Sequence, residues 1–404
     1  MLWLFAIATT LLALACFGAE FVCRHLGLYG LDRLPYSGLT LIPESMYTDT
    51  WMFNVRFDHF HQSSFFDSRF GPHYLYPAPL SLFYRLLRFS PHPTTAMLTV
   101  LLVTYLGLGI WFARKLLEWG LSRWAAVLFS AIAVVFSYPF LFEFNRANME
   151  IFVWGFSALG VLAFFRNRPW LAAALIGCAA ACKVYPFIFL GLLFARKQYW
   201  QVVYSVVVAT VINYFSFWAI AGSIPIGQAG VKAGLAEFQK QYILRYDPAV
   251  VGLDHSLFGF LKRFWPGVPA PTELAHILTV YLVVAVTVAC ALYFLRVIRL
   301  PAINQLVFLT VACLVLPPTS FDYTLLQLYT PWVMIVCVVM DAWRNNASPP
   351  RGLWPAMICF IVLMSPQNEF IIHGERIDGQ IKCLTLLALA YISLRLPLQS
   401  ELSA

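Results

Sequence analysis

Asp49, in the stretch YTDTWMF, sets a carboxylate beside an aromatic run. Such surroundings can tune a carboxylate into a general base that takes a hydroxyl proton, although an aspartate here can equally cap a helix start. Residues 44–80 form the first long polar interruption of the chain, and Asp58 in it is a second candidate base. Asp58, His59 and His61 alternate as metal ligands can, but on a helix they would not share a face. Lys183 lies in the middle of WLAAALIGCAAACKVYPFIFLGLLFA, with Pro186 just beyond it. A cation at membrane depth costs at least about 2.5 kcal/mol, which marks it for function, here binding an anion in a cavity; the alternative is a lysine that snorkels to the surface. Arg146 stands in a turn between Glu143 and Glu150. It can pair with those acids or clamp a phosphate with its guanidinium fork. Asp322 with Tyr323 in PPTSFDY, and Asp254 with His255, add two further polar pairs.

The elements that must position these groups are membrane helices. Of the 404 residues 61% are hydrophobic and 11% charged, against about 25% charged in a soluble domain. The net charge of +8 is scattered at the ends of apolar runs. It forms no basic face, which argues against nucleic acid and for a bilayer with positive-inside loops. The nine cysteines fall almost all in apolar segments without a CxxC spacing and read as packing residues. The amino-terminal apolar run lacks a basic start and reads as an uncleaved first span.

Runs of about 20 apolar residues predict about 10 spanning helices, near 2–23, 94–113, 124–142, 148–165, 199–221, 273–295, 303–317, 324–341, 353–366 and 380–396. The segment 170–195 breaks this pattern, because basic residues flank it on both sides. A re-entrant or broken helix pair keeps both flanks in the cytoplasm. Parity then collects the long loops 24–93 and 222–272, the Asn145 turn, PPTSFDY and residues 367–379 on the opposite, outer face. The expectation is an all-α polytopic membrane protein forming one domain over 1–404, with SLFYRLLRF and SLFGFLKRF as interfacial helices. A secondary transporter or lipid flippase also breaks helices around buried charge, but no internal repeat is visible and the long polar loops lie on one side.

No P-loop, GxSxG, HExxH or dinucleotide glycine pattern occurs. Instead YTDTWMF, HYLYPAPL, FNRANMEIF, KVYPFIFLGLLFARKQYW, DHSLFGFL and SFDYTLLQLYTP follow one another. In order and spacing this series, over roughly 40–335, resembles the bacterial polyprenol-phosphate-mannose-dependent mannosyltransferases of glycosyltransferase family 87, in the GT-C superfamily. The resemblance implies a polyprenyl-phosphate sugar donor, a glycolipid or glycan acceptor, and an active site on the outer face of a bacterial inner membrane. No cofactor is certain, and a divalent metal is left open without being indicated. By the same resemblance Asp49 matches the expected base; a phosphate leaving group needs cations, and Lys183, Arg146 and Arg376 are the candidates for that work. His73, Tyr76, Asn145, Asn148, Tyr185, His255, Asp322 and Tyr323 are the expected substrate contacts. Two positions depart from the family pattern: Ala147 replaces a common glycine, and Asp254 an expected asparagine.

Overall fold

The computed structural model describes residues 1–25, 49–50, 53, 55–67, 69, 74–88, 90, 92–135, 137–365, 371–372 and 375–399. Apart from a two-residue hairpin of β1 (Ile371–Ile372) and β2 (Glu375–Arg376), the regular structure is helical. In chain order come α1 (Leu2–His25), α2 (Ala78–Leu87), α3 (Pro93–Glu118), α4 (Arg123–Val135), α5 (Tyr138–Arg146), α6 (Glu150–Phe165), α7 (Pro169–Cys182) and α8 (Leu190–Ala195). After them come α9 (Tyr199–Ala221), α10 (Ile224–Phe238), α11 (Leu257–Arg263), α12 (Pro271–Leu295), α13 (Ala302–Val315), α14 (Tyr329–Arg344), α15 (Leu353–Met364) and α16 (Asp378–Arg395).

The helices stand where the apolar runs lie, but the expected count of about ten spans is overturned. Among the described residues four helical stretches are long and apolar enough to cross a bilayer: Pro93–Glu118, Tyr199–Ala221, Pro271–Arg299 and Asp322–Arg344. They become five if Arg123–Val134 and Tyr138–Arg146, bent by 52°, count as one. The other apolar helices, among them Glu150–Phe165, Pro169–Cys182, Ala302–Val315 and Leu353–Met364, have 10–17 residues. The physical reason is that a hydropathy window averages across breaks. Asn148, Lys183 with Pro186, and the Pro317–Pro318 pair each end a helix inside an apolar run, and Asp378, Lys382 and Arg395 charge the 18 residues of α16. The assignment of each loop to a face rested on the span count and falls with it.

The long helices turn apolar side chains outward, such as Val103, Leu106 and Ile110 on α3 or Val280, Val283 and Val286 on α12. A surface of this kind is stable only against lipid. Inside, Phe5, Phe112, Phe129 and Trp332 pack ring against ring, and Phe129 stacks on Trp332 at 10°. Gly177 lets α7 and α9 approach, since a Cβ there would lie 2.6 Å from the Ser205 carbonyl oxygen.

At Lys183 the chain doubles back. Lys183 is extended, a 3-10 turn follows over Tyr185–Phe189, and α8 returns along α7. The closure is local, because Arg196 Nη1 donates to Asn167 Oδ1 at 2.9 Å. The two stretches expected to lie in the headgroup plane are helical, yet α2 buries Leu80 and Tyr84 and α11 buries Phe258 against Tyr281.

Candidate active site

Three helix ends and Asp49 converge. The turn between α5 and α6 is shaped by its own side chains. Ala147 sits in the left-handed region at φ 49° and ends α5, with its N–H bonded to the Glu143 carbonyl at 2.8 Å. The first turn of α6 has unpaired N–H groups. Asn148 Oδ1 accepts from Glu150 N at 2.9 Å, and Glu143 Oε1 from Ile151 N at 3.2 Å. These bonds fix Arg146 and Asn148 toward Asp49, where Arg146 Nη2 donates to Oδ1 at 2.8 Å and Asn148 Nδ2 to Oδ2 at 2.7 Å.

Glu150, fully buried, is the hub beside this triad. It accepts from Lys183 Nζ at 2.6 Å, from Gln327 Nε2 at 3.2 Å and from the Tyr185 hydroxyl. The Lys183 ammonium also lies 4.5 Å from the centre of the Tyr323 ring. Tyr76 closes the other flank, and burial, reinforced by the Asp49 carboxylate and Tyr323, pushes its phenol well above the ordinary value. It therefore stays a hydrogen-bond donor at neutral pH.

A second buried network adjoins the first. Asp322 accepts from Lys382 Nζ at 2.8 Å and from the Tyr138 hydroxyl, and His255 Nδ1 lies 3.6 Å from it. His255 Nε2 in turn meets Ser320 Oγ at 3.0 Å and Thr324 Oγ1 at 3.2 Å. The 3-10 segment Asp322–Leu328 thus supplies both networks, with Asp322 and Thr324 to one and Tyr323 and Gln327 to the other.

Of the residues singled out in the sequence, Asp49, Arg146, Asn148, Lys183, Tyr185, Tyr76 and Tyr323 come together. Asn145 is buried on α5 next to Arg146. His255 and Asp322 are buried in the second network, where Asp322 is spent on Lys382 and Tyr138. Asp58 stands apart, largely exposed and paired with Arg88 at 2.8 Å. His59 turns to Ser64 and His61 to the Ala219 carbonyl, so neither joins Asp58. Among the described residues no group of three or more His, Cys, Asp or Glu side chains could hold a metal. His73 lies outside the described residues, as does the side chain of Arg376.

Sequence reasoning missed Gln327 and Lys382 and offered Glu150 only as a partner of Arg146, whereas it pairs with Lys183. Lys382 carried the same signal as Lys183, a charge within an apolar helix. Gln327 carried none.

The family model of glycosyltransferase family 87 matches residues 74–317, more than half of the chain, while no curated protein and no solved structure matches it. The matched residues include Tyr76, Arg146, Asn148, Glu150 and Lys183, and Asp49 precedes them.

Proposed function

Because the chain belongs to glycosyltransferase family 87, a family of transfer enzymes rather than transporters, we propose that it moves a sugar, mannose by resemblance, from a polyprenyl-phosphate donor to a glycolipid or glycan acceptor. The reading includes a GT-C-type active site at the outer face of a bacterial inner membrane, and the resemblance in the sequence motifs carries the donor, the acceptor and that face. One observation carries the site: a carboxylate, Asp49, held by Arg146 and Asn148 beside a second cation, Lys183.

In this mechanism Asp49 takes the proton of the acceptor hydroxyl, whose oxygen forms the new bond to the anomeric carbon. The bond from that carbon to the phosphate oxygen breaks, and its electron pair leaves with the phosphate. A single displacement inverts the anomeric centre through an oxocarbenium-like state. A phosphate is already a good leaving anion, so it needs cations more than an acid. Lys183 gives one of its three N–H groups to Glu150 and keeps two for the phosphate. Arg146 turns from Asp49 to the phosphate when the donor enters, which frees the base at the moment it is needed.

Purified protein given a radiolabelled polyprenyl-phosphate sugar and a membrane-lipid acceptor fraction tests this. Transfer is expected, with loss on Asp49→Asn and on Lys183→Ala. Transfer that survives both substitutions refutes the assigned site.

A further inference from the structure

Lys382 lies on α16, beyond the residues that match the family, and is wholly buried. Its ammonium reaches Asp322, whose side chain is 1% exposed and already binds the Tyr138 hydroxyl. Asp322 therefore has no face left for a sugar. It joins instead two elements that build the transfer site. Tyr138 is the first residue of α5, which ends in Asn145 and Arg146. Asp322 opens the segment whose next residue, Tyr323, lies beneath the Lys183 ammonium and whose Gln327 holds Glu150. Lys382 is itself delivered without slack. Gly379 N donates to the Gly252 carbonyl at 2.7 Å, and a Cβ at Gly379 would meet the Asp254 backbone at 2.5 Å. Gln380 Nε2 adds a bond to the Val251 carbonyl at 2.9 Å.

We propose that Lys382 is a positioning residue for sugar transfer, acting through Asp322 to hold Tyr323 and α5 in register across the site. A buried pair that served stability alone is replaceable by apolar groups without loss. A pair that sets geometry is not, because small displacements of reacting groups cost large factors in rate. The effect on transfer rests on the function proposed above, whereas the anchoring of Tyr323 does not.

The test uses the full chain in lipid nanodiscs and combines K382M with D322N, so that both charges vanish together. Melting temperature, kcat and the donor KM are measured, together with maleimide labelling of Y323C in a chain whose nine native cysteines are replaced. Expected are a melting temperature near that of the parent, a kcat about 30-fold lower with KM within about threefold, and a thiol that reacts about fivefold faster. Parental kcat in the folded double variant, or unchanged labelling, overturns the proposal. If the double variant fails to fold, Y138F gives the same readings by removing one hydroxyl, and unchanged kcat and labelling there overturn it too. If the parent chain transfers no sugar from any lipid-linked donor, the functional reading fails, and labelling alone decides whether Lys382 anchors Tyr323.

Discussion

Arg146 and Asp49, 97 positions apart in the chain, meet with Nη2 2.8 Å from Oδ1. Asn148, from the same turn, holds the other carboxylate oxygen. A carboxylate gripped on both oxygens is well oriented, but neither oxygen is open to an acceptor hydroxyl while both bonds are made. The proposed reaction requires that grip to loosen, and Arg146 is the partner with another anion to go to.

Asp49→Asn keeps acceptor capacity on one oxygen and removes the base. Turnover is expected to fall by a factor of about 10²–10⁴, while binding of the lipid-linked donor, measured by equilibrium dialysis, stays within about threefold. Asp58→Asn, which breaks an exposed pair with Arg88, should leave turnover unchanged and stability within about 0.5 kcal/mol.

Lys183→Met leaves Glu150 buried without its cation. Such a loss costs about 3–5 kcal/mol, read as a lower melting temperature in detergent. Lys183→Met combined with Glu150→Gln should recover most of that stability and none of the turnover, which separates the structural role of the pair from the role of the cation.

Ala147 occupies a backbone conformation that favours glycine. Relief of left-handed strain is worth about 1–2 kcal/mol. The entropy of an added glycine and one lost buried methyl offset it by about as much. Ala147→Gly is therefore expected to be neutral within about 1 kcal/mol. Ala147→Val, bulkier in a buried left-handed site, should lower the melting temperature markedly.

Asp254 accepts two backbone N–H groups through Oδ1, from Ser256 and Ser320, each at 2.9 Å. Asp254→Asn preserves those bonds and removes a buried charge, so thermal unfolding should show equal or greater stability. Asp254→Ala strips both N–H groups of their partner and should cost at least about 2 kcal/mol.

Charge in an apolar setting made much of this site legible. Lys183 is conspicuous because it violates its apolar surroundings, and the helix break there follows from Pro186; Asp49 and Arg146 stand out in the polar interruptions between apolar runs. Glu150 was visible, but the cation nearest in sequence, Arg146, was its expected partner, whereas Arg146 goes to Asp49 and Lys183 to Glu150. Its three partners include Gln327, a residue 177 positions away. The His and Asp alternation at 58–61 shows the opposite failure, in which neighbours in sequence turn to different partners. Helix positions followed from hydropathy, but spans did not, because the breaks that create the site lie inside the apolar runs.

Those breaks also leave the perimeter uneven. α6 and α7 have 16 and 14 residues, and α3 has 26, so at about 1.5 Å per residue the first two rise roughly 24 and 21 Å and the third about 39 Å. Leu159, Trp170 and Leu171 bring the short pair to the surface. A bilayer with a hydrocarbon thickness of about 30 Å meets this hydrophobic mismatch by thinning there and by tilt along the long helices. The thinned patch borders the pair of helices between which Lys183 and Glu150 meet. In the proposed reaction, a lipid-borne phosphate arriving on that flank would travel less far from the headgroup layer to the buried cation than it would beside α3.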